Sequence, residues 1–417
     1  MSVLWSAYRL LAPAVGAVAP WGELAAGKEE RRWWSERLGR LRPLETSVDA
    51  WIHSASLGEA VAAAALRDAL RARRAEARFL LTATTRTGRQ RLAALEPAVS
   101  MAPLDTPQAA AGFFAAVRPA RLFLIETELW PQWLLRARRA RVPVAVVSAR
   151  LSPRSARRYG WLGAPLRGLV RELVAVLCQT DEDRARWLSL GARPERTAVA
   201  GNLKFDALPE PAADRGQARA ARRLDPARPL LVLASLRPGE GGLLAAAWNA
   251  LPAEARERWQ VVAVPRHPQA SRSIRIEAEN AGVMVVDAGP PPSGAWLWDD
   301  RPGVLTGYYV GADAAFVGGT LAAHGGHNPL EPAAAGAAVI VGPHHGAQGP
   351  AMEVLEKAGA VLVTSETALP DSLHRLLQEE PRRRQMADAG SRAAHAARGA
   401  AGRAVEKLVE WGVWPSA

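Results

Sequence analysis

In the first half of the chain, several short apolar runs end in residues that can do chemistry. WIHSASLGEA (51–60) passes from an apolar stretch through small residues and Gly58 to Glu59, at the start of a helix-like segment. A carboxylate at that turn is placed to act as a general base, or to stabilise the dipole of its own helix. TATTRTG (82–88) supplies hydroxyls and a glycine suited to sugar or phosphate oxygens. LIETELWPQWL puts Glu126 and Glu128 directly after an apolar run, where ionised carboxylates are costly unless solvated or paired. Lys204, in GNLKFD, brings positive charge from the end of the same half.

The second half has a different chemical character. VVAVPRHPQ delivers Arg266 and His267 from a hydrophobic run, and an arginine can fork onto phosphate oxygens. FVGGTLAAHGGHNPLEP (316–332) runs from an apolar stretch into paired glycines, after which Asn328-Pro329 opens a helix with Glu331 in its first turn. Free amides at such a helix start suit a phosphate, and Glu331 is placed for ribose hydroxyls. The competing structural reading is a capped helix with Glu331 near its dipole, but repeated Gly-Gly pairs at a strand exit favour nucleotide binding.

The elements that must carry these residues are short apolar runs alternating with helix-like segments from residue 46 onward, the rhythm of βαβ units and parallel sheets. The series breaks at the Pro-, Ala- and charge-rich stretch LPEPAADRGQARAARRLDPAR and restarts at PLLVLASL. The expectation is two α/β, Rossmann-like domains with a cleft between them: residues 46–206, a linker at 207–228, and residues 229–417 with closing C-terminal helices. Residues 1–45 form an N-terminal segment. Its apolar run is interrupted by Arg9 and a proline and is too short to span a bilayer, so it either anchors at a membrane surface or packs on the domain.

The chain has 417 residues, with 53 Lys and Arg against 41 Asp and Glu, a net charge of +12 that suits an anionic partner. Nucleic acid is disfavoured, because no recognition module or aromatic-interleaved basic patch is visible. The single cysteine, Cys178, excludes an intramolecular disulfide framework and a Cys-based zinc cluster, and its apolar surroundings read as a buried thiol. The histidines form no HExxH, and no metal site is expected.

Taken in order, ERLGRL, SASLGE, TATTRTG, ETELWP, SARLSPRSARR, QTDEDRARWLSLGA, GNLKFD, VPRHP and GGHNPLEP resemble the 3-deoxy-D-manno-octulosonic acid (Kdo) transferases. Each piece alone is weak; the ordered set, covering nearly the whole chain, is specific. The resemblance implies a GT-B glycosyltransferase with two Rossmann-like domains and no metal or cofactor. It would move Kdo from CMP-Kdo to the lipid A precursor (lipid IVA) with inversion, at the cytoplasmic face of the bacterial inner membrane and in contact with its anionic surface. It also implies roles. Glu59 would be the catalytic base, and Glu128 and Lys204 would stabilise the transition state. Arg266, His267, Pro302, Gly303, Val304, Asn328, Pro329, Leu330 and Glu331 would hold the cytidine monophosphate.

The chain departs from the family pattern in three places. Gly303-Val304-Leu305 stands where a Gly-Glu-Leu tripeptide is usual, so any contact there must come from backbone. ASLRPGEGG replaces an AST-x-x-GEE pattern, and GPHHGAQGP diverges after GPH. The alternatives are a GT-B enzyme using a different nucleotide sugar, against which SASLGE and ETELWP argue, and a catalytically reduced relative, against which the presence of Glu59 argues.

Overall fold

A computed structural model describes residues 3–25 and 27–416. Its strands are the apolar runs, and they separate into two sheets. The first contains β1 (Ala50–Ser54), β2 (Phe79–Ala83), β3 (Val99–Met101), β4 (Leu122–Ile125), β5 (Val144–Ala149), β6 (Ala175–Cys178) and β7 (Thr197–Val199), in the order β3-β2-β1-β4-β5-β6-β7. The second contains β8 (Leu230–Leu236), β9 (Gln260–Pro265), β10 (Val285–Val286), β11 (Trp296–Trp298), β12 (Ala314–Val317), β13 (Ala338–Val341) and β14 (Val361–Val363), in the order β10-β11-β9-β8-β12-β13-β14. Every ladder is parallel. Parallel strands lie between helices, which is why the central ones are predominantly apolar and are buried along their whole length.

The strand order reverses between β1 and β4 in the first sheet and between β8 and β12 in the second, where β10 and β11 are also interchanged at the edge. At such a point the loops leaving the carboxyl ends diverge and open a crevice where ligands bind in this fold class. The motifs with chemical potential follow these strands. SASLGE leaves β1, ETELWP leaves β4, ASLRPGEGG leaves β8 and VGGT leaves β12.

The chain divides into two compact units, Met1–Ala207 with Arg398–Ala417, and Leu208–Ala397. The last 20 residues therefore pack with the first unit, whereas the sequence placed them in the second domain. Two interactions explain the return. Asp206 accepts from the amides of Gly399, Ala400 and Ala401 at 2.6, 3.1 and 2.6 Å, capping the helix Ala400–Glu410 from a distant part of the chain. Beyond that helix Trp414 is fully buried, its ring 6.0 Å from Phe79 and 6.2 Å from Phe123. The expected linker is also structured. Its helix Arg215–Ala220 sets Arg219 against Asp313 at 2.5 Å and the Gly311 carbonyl at 2.9 Å, so from Leu208 onward it belongs to the second unit.

The N-terminal helix, Val3–Ala25, packs and is exposed at once. Trp5 and Ala12 are buried, and the Tyr8 hydroxyl donates to Asp105 at 2.5 Å. On its other side Leu10, Leu11, Val15, Val18 and Trp21 are 78, 62, 52, 64 and 70% exposed. Among the described residues no helix is long and apolar enough to cross a membrane. The following helix, Lys28–Arg37, is pinned by Glu36, which accepts from Arg89 at 3.0 and 3.1 Å and from the Met101 amide at 2.8 Å. Gly39 then passes so close to the helix Pro107–Val117 that a Cβ would lie 2.2 Å from the Ala109 carbonyl.

The Asp206 cap predicts that Asp206→Ala, which orphans three amides at a helix start, lowers unfolding free energy by about 1–3 kcal/mol in urea titration. Limited proteolysis should release the C-terminal helix earlier in the variant, and Asp206→Asn should recover part of the loss.

Candidate active site

In the first unit the site is a cluster of carboxylates around one lysine. Ser56 caps the helix Leu57–Arg73, and Glu59 answers it: the Glu59 carboxylate accepts from the Ala55 amide at 2.7 Å and from the Ser56 hydroxyl at 3.1 Å. This capping box fixes the side chain at the mouth of β1. Gly88 lets the neighbouring turn close on it, since a Cβ there would stand 3.1 Å from the Ser56 carbonyl carbon.

Glu126 leaves β4 with a left-handed backbone, φ 61°, unusual for a residue with a side chain and common at functional sites. It pairs with Lys204 at 2.5 Å. Lys204 lies on a short helical turn, Leu203–Ala207, held by the Asn202 side chain and by Ser148, itself at φ 54°. The lysine thus neutralises Glu126 and leaves Glu128 to other partners.

Glu128 accepts from Trp130 Nε1 at 2.9 Å and lies 3.4 Å from His53 Nε2. His53 is completely buried within β1, and its Nδ1 is 2.9 Å from the Thr82 hydroxyl, which already accepts from Trp51 Nε1 at 2.8 Å. The Thr82 hydroxyl can donate its own proton to Nδ1, an arrangement that puts the ring proton on Nε2, directed at Glu128. His53 was missed in the sequence reading because a histidine inside an apolar strand is usually a core residue, and Thr82, read there as a hydroxyl for sugar or phosphate oxygens, instead holds that histidine.

These surroundings act on Glu59. Burial first, then the nearby Glu126 charge and more weakly Glu128, raise its carboxyl to about 7, against the opposing pull of the Ala55 amide and Lys204.

In the second unit the chemistry reverses sign. Arg237 follows β8, Arg266 and His267 follow β9, and His327 lies beyond β12, with its ring 3.3 Å from where a Cβ on Gly319 would be. Burial, with Arg266, Arg237, His267 and His324, pushes His327 down to about 4; burial and the two arginines push His267 down as well. Arg237 Nε and His327 Nε2 are buried without a hydrogen-bond partner among the described residues. Such orphaned donors beside clustered cations suit an anion.

The amides at the first Gly-Gly pair are taken from within the protein. Glu240, fully buried, accepts from the amides of Arg237 and Gly319 at 2.9 and 2.8 Å and from those of Thr320 and Leu321 at 2.9 and 3.0 Å. An internal carboxylate fills this nest of amides. The helix opened by Asn328-Pro329 is a single turn, Leu330–Ala334, and its Leu330 amide is taken by the Asn328 side chain at 3.1 Å. Asn328 also donates to Glu331 at 3.2 Å, and burial raises the Glu331 carboxyl. Pro302 and Gly303 are exposed, while Val304 begins the turn Leu305–Tyr309, which packs on Leu330–Ala334. Buried Tyr309 has Glu331 and Arg266 as charged neighbours, so these segments converge on one edge of the sheet. Among the described residues no group of three His, Cys, Asp or Glu is arranged to hold a metal ion.

Residues 32–207 match the family model described as 3-Deoxy-D-manno-octulosonic-acid transferase (kdotransferase). The chain is 40% identical to the 3-deoxy-D-manno-octulosonic acid transferase of Bordetella pertussis, over 90% of both chains. This chain belongs to the Kdo transferase family. It is also 30% identical to the Haemophilus influenzae transferase over 86% of each chain. UDP-GlcNAc 2-epimerase from Neisseria meningitidis aligns with 87% of this chain and 99% of its own at TM-score 0.60 and 14% identity, a likeness of fold alone. The Kdo transferase fold is therefore α/β of the GT-B type, with a parallel sheet in each unit, as the sequence implied.

The raised Glu59 carboxyl of this Kdo transferase can be tested by its linkage to stability. A carboxyl raised by folding contributes fully at low pH, and the contribution is lost as pH rises through about 7. Between about pH 5 and pH 8, unfolding free energy should therefore shift in favour of Glu59→Gln over wild type by about 1–3 kcal/mol. Carboxyl-carbon NMR titration of Glu126→Gln should show the Glu59 midpoint moving down, because the variant removes a negative neighbour and leaves Lys204 unpaired.

Proposed function

We propose that this Kdo transferase moves Kdo from CMP-Kdo to a hydroxyl of the phosphorylated lipid A precursor, lipid IVA, in a single inverting displacement without a metal ion. The observation that carries the reading is Glu59, held by Ala55 and Ser56 with a carboxyl near 7, where a general base works best. Each held oxygen retains a lone pair, so Glu59 takes the proton of the acceptor hydroxyl as its oxygen attacks the anomeric carbon. The bond from that carbon to the phosphate oxygen breaks, and CMP leaves with the electron pair.

The two ends of this transition state carry opposite charge. Positive character develops at the sugar, where Glu128 is oriented by His53 and Trp130, while Lys204, held by Glu126, stabilises negative charge nearby. Negative charge develops on CMP, and in this reading Arg266 and His267 receive it with Arg237 beside them. Pro302, Gly303 and Val304 meet the nucleotide through backbone, and Asn328, Pro329, Leu330 and Glu331 meet the ribose. Clustered cations do the work a divalent ion does in other nucleotide-sugar enzymes.

The exposed apolar side of the N-terminal helix supports peripheral attachment to the anionic cytoplasmic face of the bacterial inner membrane, with the acceptor within reach.

The test is transfer of labelled Kdo, from CMP-Kdo generated in situ, onto lipid A precursor. Wild type should give product, undiminished by EDTA, at a rate that rises with pH through about 7. Glu59→Ala should lose about 10²–10⁴-fold in rate while still binding CMP. Glu331→Ala should weaken CMP binding first. Equal loss of nucleotide affinity in both variants contradicts the division of labour, and CMP binding without any transfer points to a different sugar or acceptor.

A further inference from the structure

The segment 150–171 contains six arginines and no acidic residue. Its helix, Pro153–Gly160, buries none of its residues. Arg154, Arg157, Arg158 and Trp161 stand at i, i+3, i+4 and i+7, which aligns them on one stripe. All four are exposed, Trp161 at 64%. Among the described residues none of the three arginines forms an ion pair. The opposite side of the helix is held in place: Ala156 and Tyr159 pack on the core, and the Tyr159 hydroxyl donates to the Thr127 carbonyl at 3.0 Å.

That contact fixes where the stripe lies. Thr127 separates Glu126 from Glu128, so the basic helix is seated directly on the loop that carries two of the active-site carboxylates. Glu128 and Arg158 both act on the Tyr159 hydroxyl, placing the arginine close to that loop. A rigid cationic stripe ending in an exposed indole matches an amphiphile with phosphate at its polar end, since Arg forks onto phosphate oxygens and Trp favours the boundary between polar and apolar surroundings.

We propose that Arg154, Arg157 and Arg158 bind a phosphomonoester of the acceptor glycolipid, with Trp161 against its apolar margin, and so orient the acceptor hydroxyl toward Glu59. This rests on the acceptor reading above. The stripe is an acceptor subsite rather than a general membrane contact, because its helix is bonded to the active-site loop.

The experiment measures lipid binding without the donor. Wild type and the R154Q/R157Q/R158Q variant are titrated with the bisphosphorylated lipid A precursor and with its dephosphorylated form in nonionic micelles. Thermal unfolding checks that the exposed substitutions leave the fold intact. The variant should bind the phosphorylated lipid about tenfold or more weakly, and the dephosphorylated lipid as wild type does. In transfer assays KM for the phosphorylated acceptor should rise by a similar factor, with kcat nearly unchanged. Trp161→Ala should weaken both lipids alike. Equal weakening for both lipids in the arginine variant, or no change for either, overturns the proposal. So does a defect confined to phosphatidylglycerol vesicles, which would make the stripe a membrane contact. Absence of Kdo transfer by wild type would defeat the acceptor reading separately, since the binding comparison needs no turnover.

Discussion

Three carboxylates and one lysine at the carboxyl edge of a parallel sheet form an electrostatic problem that the first unit is built to hold. Left to water, Glu59, Glu126 and Glu128 would separate. The fold instead assigns each a fixed partner: Ser56 and Ala55 for Glu59, Lys204 for Glu126, and His53 with Trp130 for Glu128. Burial first, and then the negative charge that survives this pairing, raises the Glu59 carboxyl to about 7. Much of the surrounding backbone serves that arrangement. Glu126 and Ser148 adopt left-handed conformations, and Gly58 leaves open the space over which Lys204 passes, 3.9 Å from a notional Cβ.

The second unit solves the complementary problem. Its arginines gather positive charge at the ends of β8 and β9, and loop amides facing outward beside them would add to it. Glu240 removes that addition by taking four amides from the loops after β8 and β12 into a buried carboxylate. The loop amides are thereby held inward, and the positive charge beside them is left to the arginine side chains. Glu277 does the same one turn away, accepting from the amides of Gly239 and Gly241.

Much of this architecture was legible in the sequence because it depends on local rules. Unbroken runs such as VPVAVVSA and PLLVLASL can only be buried parallel strands, and Ser56, Thr85, Thr106 and Thr180 stand as helix caps where small hydroxyl residues follow such runs. Glu59 was visible for the same reason. What escaped depends on contacts distant in sequence. That Lys204 meets Glu126 requires knowing that the turn after β7 comes back past β6 and β5 onto the helix Leu57–Arg73; that His53 serves Glu128 requires the Thr82 hydroxyl on the next strand. The final helix looked like an appendage of the second domain because nothing local announces Asp206 as its cap. The glycine loop misled for a related reason: glycines mark close backbone approach, and here what approaches is an internal carboxylate.

The return of the last 20 residues to the first unit makes the second unit an insertion between Ala207 and Arg398. A ribosome synthesising this chain delivers the whole of the first sheet early, yet the layer that covers Phe79 and Phe123 leaves the exit tunnel only after the entire second unit. Until Trp414 arrives, that face of the nascent unit exposes apolar surface, and Asp206 has no helix to cap. The first unit is thus completed only after the whole of the second has been synthesised. A chain that stops before Trp414 keeps an unfilled core and is exposed to proteolysis.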